Sequence, residues 1–231
     1  MLLSHYELNE PLVFHEGIVN VLVIEKPNMM AKFIEDLSGQ FDKKDGNFEL
    51  FDNNTSISIS DNVMLLINPF SANVNERDIL NKLYAIMKKD ALDEDLYLKT
   101  NSFLSEIENN IRIITERQPI PLESDLPDII GLFKLLTVRF VVSDSLLEKI
   151  CDYIDICSKY LKIKLFIFVN LKSFLNESEI IQFYTHLNYN KNHVLMIENM
   201  QRSTIKNENI RIIDNDLCEI SVLDSKGSDI Y

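Results

Sequence analysis

Glycine is scarce in this sequence, which holds five glycines among 231 residues. Phosphate-binding loops need closely spaced glycines, because only a backbone free of side chains brings its amide groups close to a phosphate. Neither G-x-x-x-x-G-K nor G-x-G-x-x-G occurs, and the first predicted buried strand, Val19 to Ile24, runs directly into Glu25, Lys26 and Pro27. The sequence therefore excludes a working P-loop, although a fold related to P-loop proteins is compatible with it.

Cysteines, histidines and long apolar runs are also few. The three cysteines, Cys151, Cys157 and Cys218, lack metal-ligand spacing, and we interpret them as reduced structural thiols. The four histidines have no partner at ligand or triad spacing. No apolar run approaches the roughly 20 residues that span a bilayer, and the start, MLLSHYELNE, lacks the features of a signal peptide. We expect a cytoplasmic protein with no membrane partner.

Positive charge is in the minority. The chain has 23 basic against 36 acidic residues, a net charge of −13. Such a balance repels nucleic acid and anionic membranes when it is spread evenly over the surface. Binding to DNA therefore requires that the basic residues be gathered locally.

Two uninterrupted apolar runs with a helical pattern between them form the clearest structural unit. Leu165 to Val169 and Val194 to Ile197 are apolar at every position, as parallel strands buried on both faces require. Asn176 and Glu179 form the capping box of the intervening helix. With the runs Val19 to Ile24 and Val63 to Ile67, the pattern predicts an α/β fold with a mostly parallel sheet.

The composition of the chain changes near Asn75. Neither proline nor glycine occurs from there to about Arg117. Apolar residues recur at helical spacing and predict two long helices, with Asn75 and Asp78 as a capping pair and a turn from Asp90 to Asp95. We expect an antiparallel hairpin, then a third helix at about 127–136 and a strand at 138–142. The predicted domains are an α/β head, residues 1–72 plus 137–231, and an inserted helical arm, residues 73–136.

Carboxylates gather where the arm is predicted to end, and they are Glu116, Glu123, Asp125 and Asp128. Hard oxygen ligands of this kind suit calcium or magnesium, although the spacing is not that of an EF-hand. The alternative interpretation is that Asp125 or Asp128 caps the third helix.

Basic residues also concentrate on the arm. We take as candidate nucleic-acid contacts Lys82, Lys88, Lys89, Lys99, Arg112 and Arg117. Lys82 and Lys89 are seven residues apart and therefore lie on one flank of a helix. A solvated helix face explains the same pattern, and only assembly would turn it into a continuous positive surface.

Several segments resemble one family, the type II-A CRISPR-associated adaptation proteins. The residues that carry the resemblance are the block Tyr160 to Asn170 (YLKIKLFIFVN), Phe174 to Glu179 (FLNESE), Val194 to Glu198 (VLMIE), Leu8 to Leu12 (LNEPL), Glu49 to Asp52 (ELFD) and Leu122 to Asp125 (LESD). These segments span nearly the whole chain in the expected order.

The resemblance implies a non-enzymatic homotetrameric ring with a P-loop-like α/β head and a helical leg. Such rings hold linear double-stranded DNA by its ends in a positive central channel, with calcium ions stabilising the leg. They act in spacer acquisition beside the CRISPR integrase subunits and the effector nuclease. Glu123 and Asp125 match acidic positions of the family, but the run Arg117 to Pro121 replaces the acid-rich run before them, so calcium would need Glu116 and Asp128 as substitutes.

Two other hypotheses come from different classes. A metal-dependent nuclease would use Glu116, Glu123, Asp125 and Asp128 with magnesium. A helical scaffold would bind protein partners only. Cleavage of labelled duplex in magnesium or manganese distinguishes the nuclease, and absence of DNA affinity at any salt concentration distinguishes the scaffold.

Overall fold

A computed structural model describes residues 1–42, 44, 46–125 and 128–222, which divide into two compact units. The sheet unit comprises Met1–Asn73 together with the described residues from Val142 onward. The helical unit comprises the described residues of Val74–Val141. In the described part of the chain, no helix combines the length and the apolar character needed to cross a bilayer.

Ten strands and seven α-helices follow one another along the described chain. The strands are β1 (Leu2–His5), β2 (Leu12–Val13), β3 (Val19–Ile24), β4 (Phe48–Asp52), β5 (Thr55–Ile57), β6 (Val63–Leu66), β7 (Leu165–Val169), β8 (His193–Glu198), β9 (Glu208–Ile213) and β10 (Glu219–Val222). The helices are α1 (Pro27–Phe41), α2 (Ile59–Asn62), α3 (Arg77–Ala91), α4 (Tyr97–Glu116), α5 (Ile129–Leu135), α6 (Leu146–Ile156) and α7 (Glu177–Asn190).

The larger sheet has six strands in the order β10-β9-β3-β8-β7-β6. All neighbours are parallel except β9 and β10, which are antiparallel. Every residue of β3 and of β7 is buried, because helices or the smaller sheet cover both faces, and this explains their continuous apolar runs. The predicted α/β class with a mostly parallel sheet is confirmed.

A smaller antiparallel sheet, in the order β2-β1-β4-β5, shares the core of the sheet unit. Phe33 of α1 stacks edge-on against Phe48 of β4, with ring centroids 4.7 Å apart, and both belong to one apolar cluster with Leu22 and Leu195. On the other face of the larger sheet, Phe183 of α7 packs edge-on against Phe168. Within this smaller sheet, β4 lies between β1 and β5.

A local hydrogen-bond motif fixes the N-terminus of α7. Asn176 accepts a hydrogen bond from the Glu179 amide at 3.0 Å, and the Glu179 carboxylate accepts from the Asn176 amide at 2.8 Å. The predicted capping box of α7 is therefore confirmed.

The cysteines also agree with the prediction of structural thiols, since Cys151 and Cys157 are buried and all three cysteines are free. Burial raises the pKa of the Cys151 thiol to about 12, which keeps it protonated and unreactive.

A buried ion pair fastens the connection between β8 and β9. Lys172, which follows β7, places its Nζ 2.5 Å from the Glu208 Oε1, and the Glu208 side chain is fully inaccessible to solvent. Tyr184 donates its hydroxyl to the same oxygen, and the Ile205 amide donates to Glu208 Oε2 at 3.1 Å. Burial and the adjacent Glu208 raise the pKa of Tyr184. These contacts hold a connection that contains no helix.

The helical unit is organised around α3 and α5. Tyr84 of α3 stacks on Phe133 of α5 with ring centroids 6.2 Å apart, and its hydroxyl donates to the Val138 carbonyl at 2.7 Å. None of α4 is buried. The expected antiparallel hairpin of α3 and α4 is therefore wrong as a description of packing, because α3 buries its apolar face against α5.

Two further expectations for this unit need correction. The segment 138–142 forms no strand, because the backbone of Phe140 bonds to the side chain of Asn75 and not to a sheet. Asn75 is therefore not a cap, and α3 begins after Glu76 without a side-chain cap. The predicted turn near Asp90 to Asp95 is confirmed between α3 and α4. The predicted third helix is α5, which begins at Ile129, while residue 127 lies outside the described residues.

Candidate nucleic-acid interface

Negative charge is distributed unequally between the two units. Residues 74–141 carry nine basic and twelve acidic side chains, whereas the rest of the chain carries fourteen basic and twenty-four acidic ones. The helical unit therefore accounts for −3 of the net charge of −13 and the rest for −10. A polyanion is repelled less by the helical unit than by the sheet unit.

Lys82 and Lys89 lie exposed on one flank of α3. Seven residues of α-helix bring the second side chain back to within about 20° of the first, roughly 10 Å further along the axis. Across the residues that the structure describes, neither lysine has a carboxylate at ion-pair distance. Both ammonium groups are therefore available to an anion in solution.

Two of the other predicted cations are engaged within the helical unit. Lys88 Nζ lies 3.3 Å from Asp128 Oδ2, and Arg112 Nη1 lies 3.1 Å from Glu116 Oε1, one turn along α4. Each pair joins a predicted DNA contact to a predicted metal ligand. Their charges cancel locally, so these two cations attract phosphate less than free ones would.

Lys99 and Arg117 complete the candidate set. Lys99 lies in the first turn of α4, Arg117 follows its last residue, and both are exposed. Neither has an ion-pair partner among the described residues. Four of the six predicted contacts, Lys82, Lys89, Lys99 and Arg117, are therefore unpaired cations.

The predicted carboxylate ligands do not come together within one chain. Asp128 accepts from the Gly131 amide at 2.9 Å and caps α5, which is one of the two caps that the alternative interpretation named. The Gly131 amide, followed by Lys88, lowers the pKa of Asp128. Glu123 and Asp125 are exposed. Within the described ranges, no group of three or more His, Cys, Asp or Glu residues could hold a metal ion.

Calcium takes six to eight oxygen ligands from carboxylates, carbonyl groups and water, and among the described residues no three acids meet to provide the carboxylate share of them. Asp128 is already bonded to the Gly131 amide and Lys88, and Glu116 is paired with Arg112. The carboxylates of one chain therefore do not fit the calcium site that the resemblance implies.

An apolar stripe runs along α4, starting at the residue before the helix. It consists of Leu96, Phe103, Ile107, Ile111 and Ile114, which fall within an arc of about 80°. Phe103 is 53% exposed and Ile114 is 55% exposed. The pattern predicts a buried face, and periodicity alone does not say whether the covering surface comes from the same chain or another one.

Comparison with known proteins agrees with the resemblance in the sequence. Residues 40–217 match the family model described as CRISPR-associated protein (Cas_Csn2). The chain is also similar to the CRISPR-associated protein Csn2 of Streptococcus agalactiae, with 26% identity over 199 residues. That alignment covers 83% of this chain and 86% of the streptococcal protein.

Proposed function

Since the chain belongs to the Csn2 family of CRISPR-associated proteins, we propose that it binds the ends of linear double-stranded DNA during spacer acquisition. It does so as a homotetrameric ring in the cytoplasm, without regard to DNA sequence and without catalysing a reaction. Its protein partners in this role are the CRISPR integrase subunits and the effector nuclease.

The proposal rests on the exposed apolar stripe of α4 and on the unpaired cations of the same unit. None of the apolar stripe is fully buried among the described residues, and Phe103 and Ile114 are more than half exposed. Unpaired cations lie on the same unit: Lys82 and Lys89 on α3, with Lys99 and Arg117 at the two ends of α4. A helix whose apolar face stays in water is stabilised when a second copy covers that face. Self-association through the stripe would gather the cations of several copies.

Closed symmetry resolves the conflict between a net charge of −13 and a polyanionic ligand. In a ring, each copy contributes its few free cations to one surface, and potentials of several kT build up there. The strongly acidic remainder discourages non-specific adhesion of DNA. Phosphate contacts of this kind are independent of base sequence and depend steeply on salt.

We also propose that the sheet unit is a P-loop-like head that has no nucleotide to bind, with the helical unit as its inserted arm. The turn after β3 carries Glu25 and Pro27 where a phosphate loop would have glycines. Glu25 accepts a hydrogen bond from the Asn215 side chain at 3.3 Å. A carboxylate at this position repels a phosphate, which supports a head without ATP or GTP.

Placing aspartates on the stripe should dissociate the assembly. Fully burying a Phe or Ile side chain is worth roughly 1.5–3 kcal/mol, so Phe103→Asp with Ile114→Asp should weaken self-association at least about 100-fold. Light scattering should give four times 26.9 kDa for the parent protein and a lower mass for the variant. Leu98→Asp is the matched control, because Leu98 is 78% exposed on the opposite side of α4. Equal dissociation by the control would contradict an interface at the stripe.

A comparison of linear with closed circular DNA tests the ring directly. The tethered protein should keep linear duplex through a low-salt wash and release closed circular plasmid of the same sequence, because a closed circle has no end to enter a ring. Cutting the circle once should restore retention. Equal retention of circular and linear DNA would exclude threading, and cleavage of either DNA in magnesium or manganese would favour the nuclease hypothesis.

A further inference from the structure

We infer that Leu135 and Leu136, at the end of α5, contact the terminal base pair of a DNA duplex, while Lys134 and Arg139 contact the phosphates beside it. The inference rests on the proposed function, because it names the part of the DNA end that the helical unit touches. That part is the flat apolar face of the last base pair.

The apolar face of α5 continues beyond the surface that covers it. Leu135 and Leu136 follow Leu132 by three and four residues, the spacing that places side chains on one face of a helix. Leu132 is 8% exposed, whereas Leu135 is 73% and Leu136 is 71% exposed. Neighbouring large apolar side chains that stay in water indicate a binding surface.

Hydrogen bonds hold this end of α5 in place. The Val138 amide donates to the Phe133 carbonyl at 3.0 Å. The Thr137 amide donates to the Lys134 carbonyl, also at 3.0 Å, and Thr137 has the left-handed conformation with φ of 53°. These two bonds form a Schellman motif, which satisfies the last carbonyl groups of a helix. Tyr84 of α3 anchors the same turn through its bond to the Val138 carbonyl, so the two leucines are exposed on an ordered turn.

The turn carries positive charge and no negative charge. No acidic residue occurs between Asp128 and Asp144, whereas Lys134 and Arg139 lie exposed within that stretch. Neither cation has a carboxylate at ion-pair distance in the part of the chain that the structure describes. Both are therefore available to phosphate, and a guanidinium group can hold a phosphate through two parallel hydrogen bonds. An apolar patch flanked by free cations complements an anionic ligand that has an apolar face.

The end of a DNA duplex is such a ligand. Phosphates are alike along the whole duplex, so contacts to phosphate do not distinguish an end from the interior. The last base pair differs from all others because one of its faces is not stacked on a neighbour. Leucine is among the side chains that pack against base faces where DNA-binding proteins unstack them. Leu135 and Leu136 can contact the terminal face without the free energy that opening an internal step would cost.

Covering the last base pair tests this contact and still allows a ring to thread the duplex. Fluorescence anisotropy compares a labelled blunt duplex with the same duplex carrying a short 3′ overhang of adenines, which stack on the terminal pair. We expect the parent protein to bind the blunt duplex about tenfold more tightly. Equal affinity for the two duplexes would overturn the inference and leave the proposed function intact. Failure to bind either duplex would contradict the proposed function itself.

A double variant removes the apolar contact alone. Leu135→Ser with Leu136→Ser should abolish the preference for the blunt duplex and leave the affinity for the overhang duplex unchanged within about twofold. Leu98→Ser is the matched control, because Leu98 is a leucine of the same unit that is 78% exposed, and it should keep the preference. A preference that survives in the double variant would overturn the inference.

Two further measurements separate the roles of the patch. Lys134→Ala with Arg139→Ala should weaken binding to both duplexes by the same factor, since both duplexes carry the phosphates. Light scattering should give the same mass for the parent protein and for the leucine double variant. A lower mass for that variant would assign Leu135 and Leu136 to an interface between copies, and would overturn a contact with DNA.

Discussion

Linear duplex DNA should bind at least about tenfold more weakly when Lys82 and Lys89 are both changed to glutamate, a loss of about 1.4 kcal/mol or more. The two ammonium groups are exposed and unpaired on one flank of α3 in the described structure, so each can contact a phosphate without first breaking an ion pair. The reversal removes these contacts and adds repulsion in every copy of the assembly.

The salt dependence identifies the kind of contact that is lost. For duplex DNA, log K falls with log salt with a slope of about −0.9 for each neutralised phosphate. The variant should therefore bind with a shallower slope as well as a lower affinity, and equally for unrelated sequences. Fluorescence anisotropy of a labelled blunt duplex at several salt concentrations measures both quantities.

A matched control separates local contact from net charge. Lys162 and Lys206 are exposed on the sheet unit, and changing both to glutamate alters the net charge by the same amount. We expect little effect on DNA affinity from this pair. An equal loss in both double variants would mean that only overall charge matters, and an unchanged affinity for the Lys82 and Lys89 variant would exclude α3 from the interface.

The largest effect on stability should come from Lys172→Met. The change leaves the Glu208 carboxylate buried without its counter-ion, in a position where solvent does not reach the side chain. Removing one partner of a buried ion pair typically costs about 3–5 kcal/mol, because the other charge is left uncompensated. Urea unfolding at a fixed protein concentration should show this loss as a lower midpoint with little change in slope.

Two further variants test whether the lost stability comes from the buried charge of Glu208. Lys191→Met removes the lysine of an exposed pair, in which Lys191 Nζ is 3.0 Å from Glu16 Oε2, and should cost less than about 1 kcal/mol. Lys172→Met with Glu208→Gln should recover part of the deficit, since the amide can still bond to Tyr184 and Ile205 without a buried charge. A Lys172→Met variant as stable as Lys191→Met would show that the Glu208 carboxylate is not held as a buried ion.

Further polar contacts hold the same connection from β8 to β9. Lys172 Nζ also approaches the Ser203 carbonyl at 3.4 Å, and Arg202 donates to Ser173 Oγ at 2.7 Å. Glu198 lies nearby at the end of β8, where burial raises its pKa. Lys172 and Arg202 thus connect two loops at this end of the sheet.

Patterns confined to a few residues were sufficient for much of the fold. The apolar runs of β3 and β7 predicted a mostly parallel sheet, and the reciprocal contacts of Asn176 and Glu179 lie within a single helical turn. The pair of Arg112 and Glu116 is also a local, one-turn contact. Such features are determined by the sequence alone, because backbone geometry fixes the spacing of the residues that meet.

The choice of partners over long distances was decided only by the tertiary structure. Lys88 meets Asp128 across 40 residues of chain. Asn75 bonds to the backbone of Phe140, where a strand was predicted, and α3 packs on α5 while no residue of α4 is fully buried. Periodicity reports that a face is apolar, and composition reports that a charge exists. Neither specifies which surface packs on that face or which counter-ion pairs with that charge, because the outcome depends on how distant segments compete for the same contact.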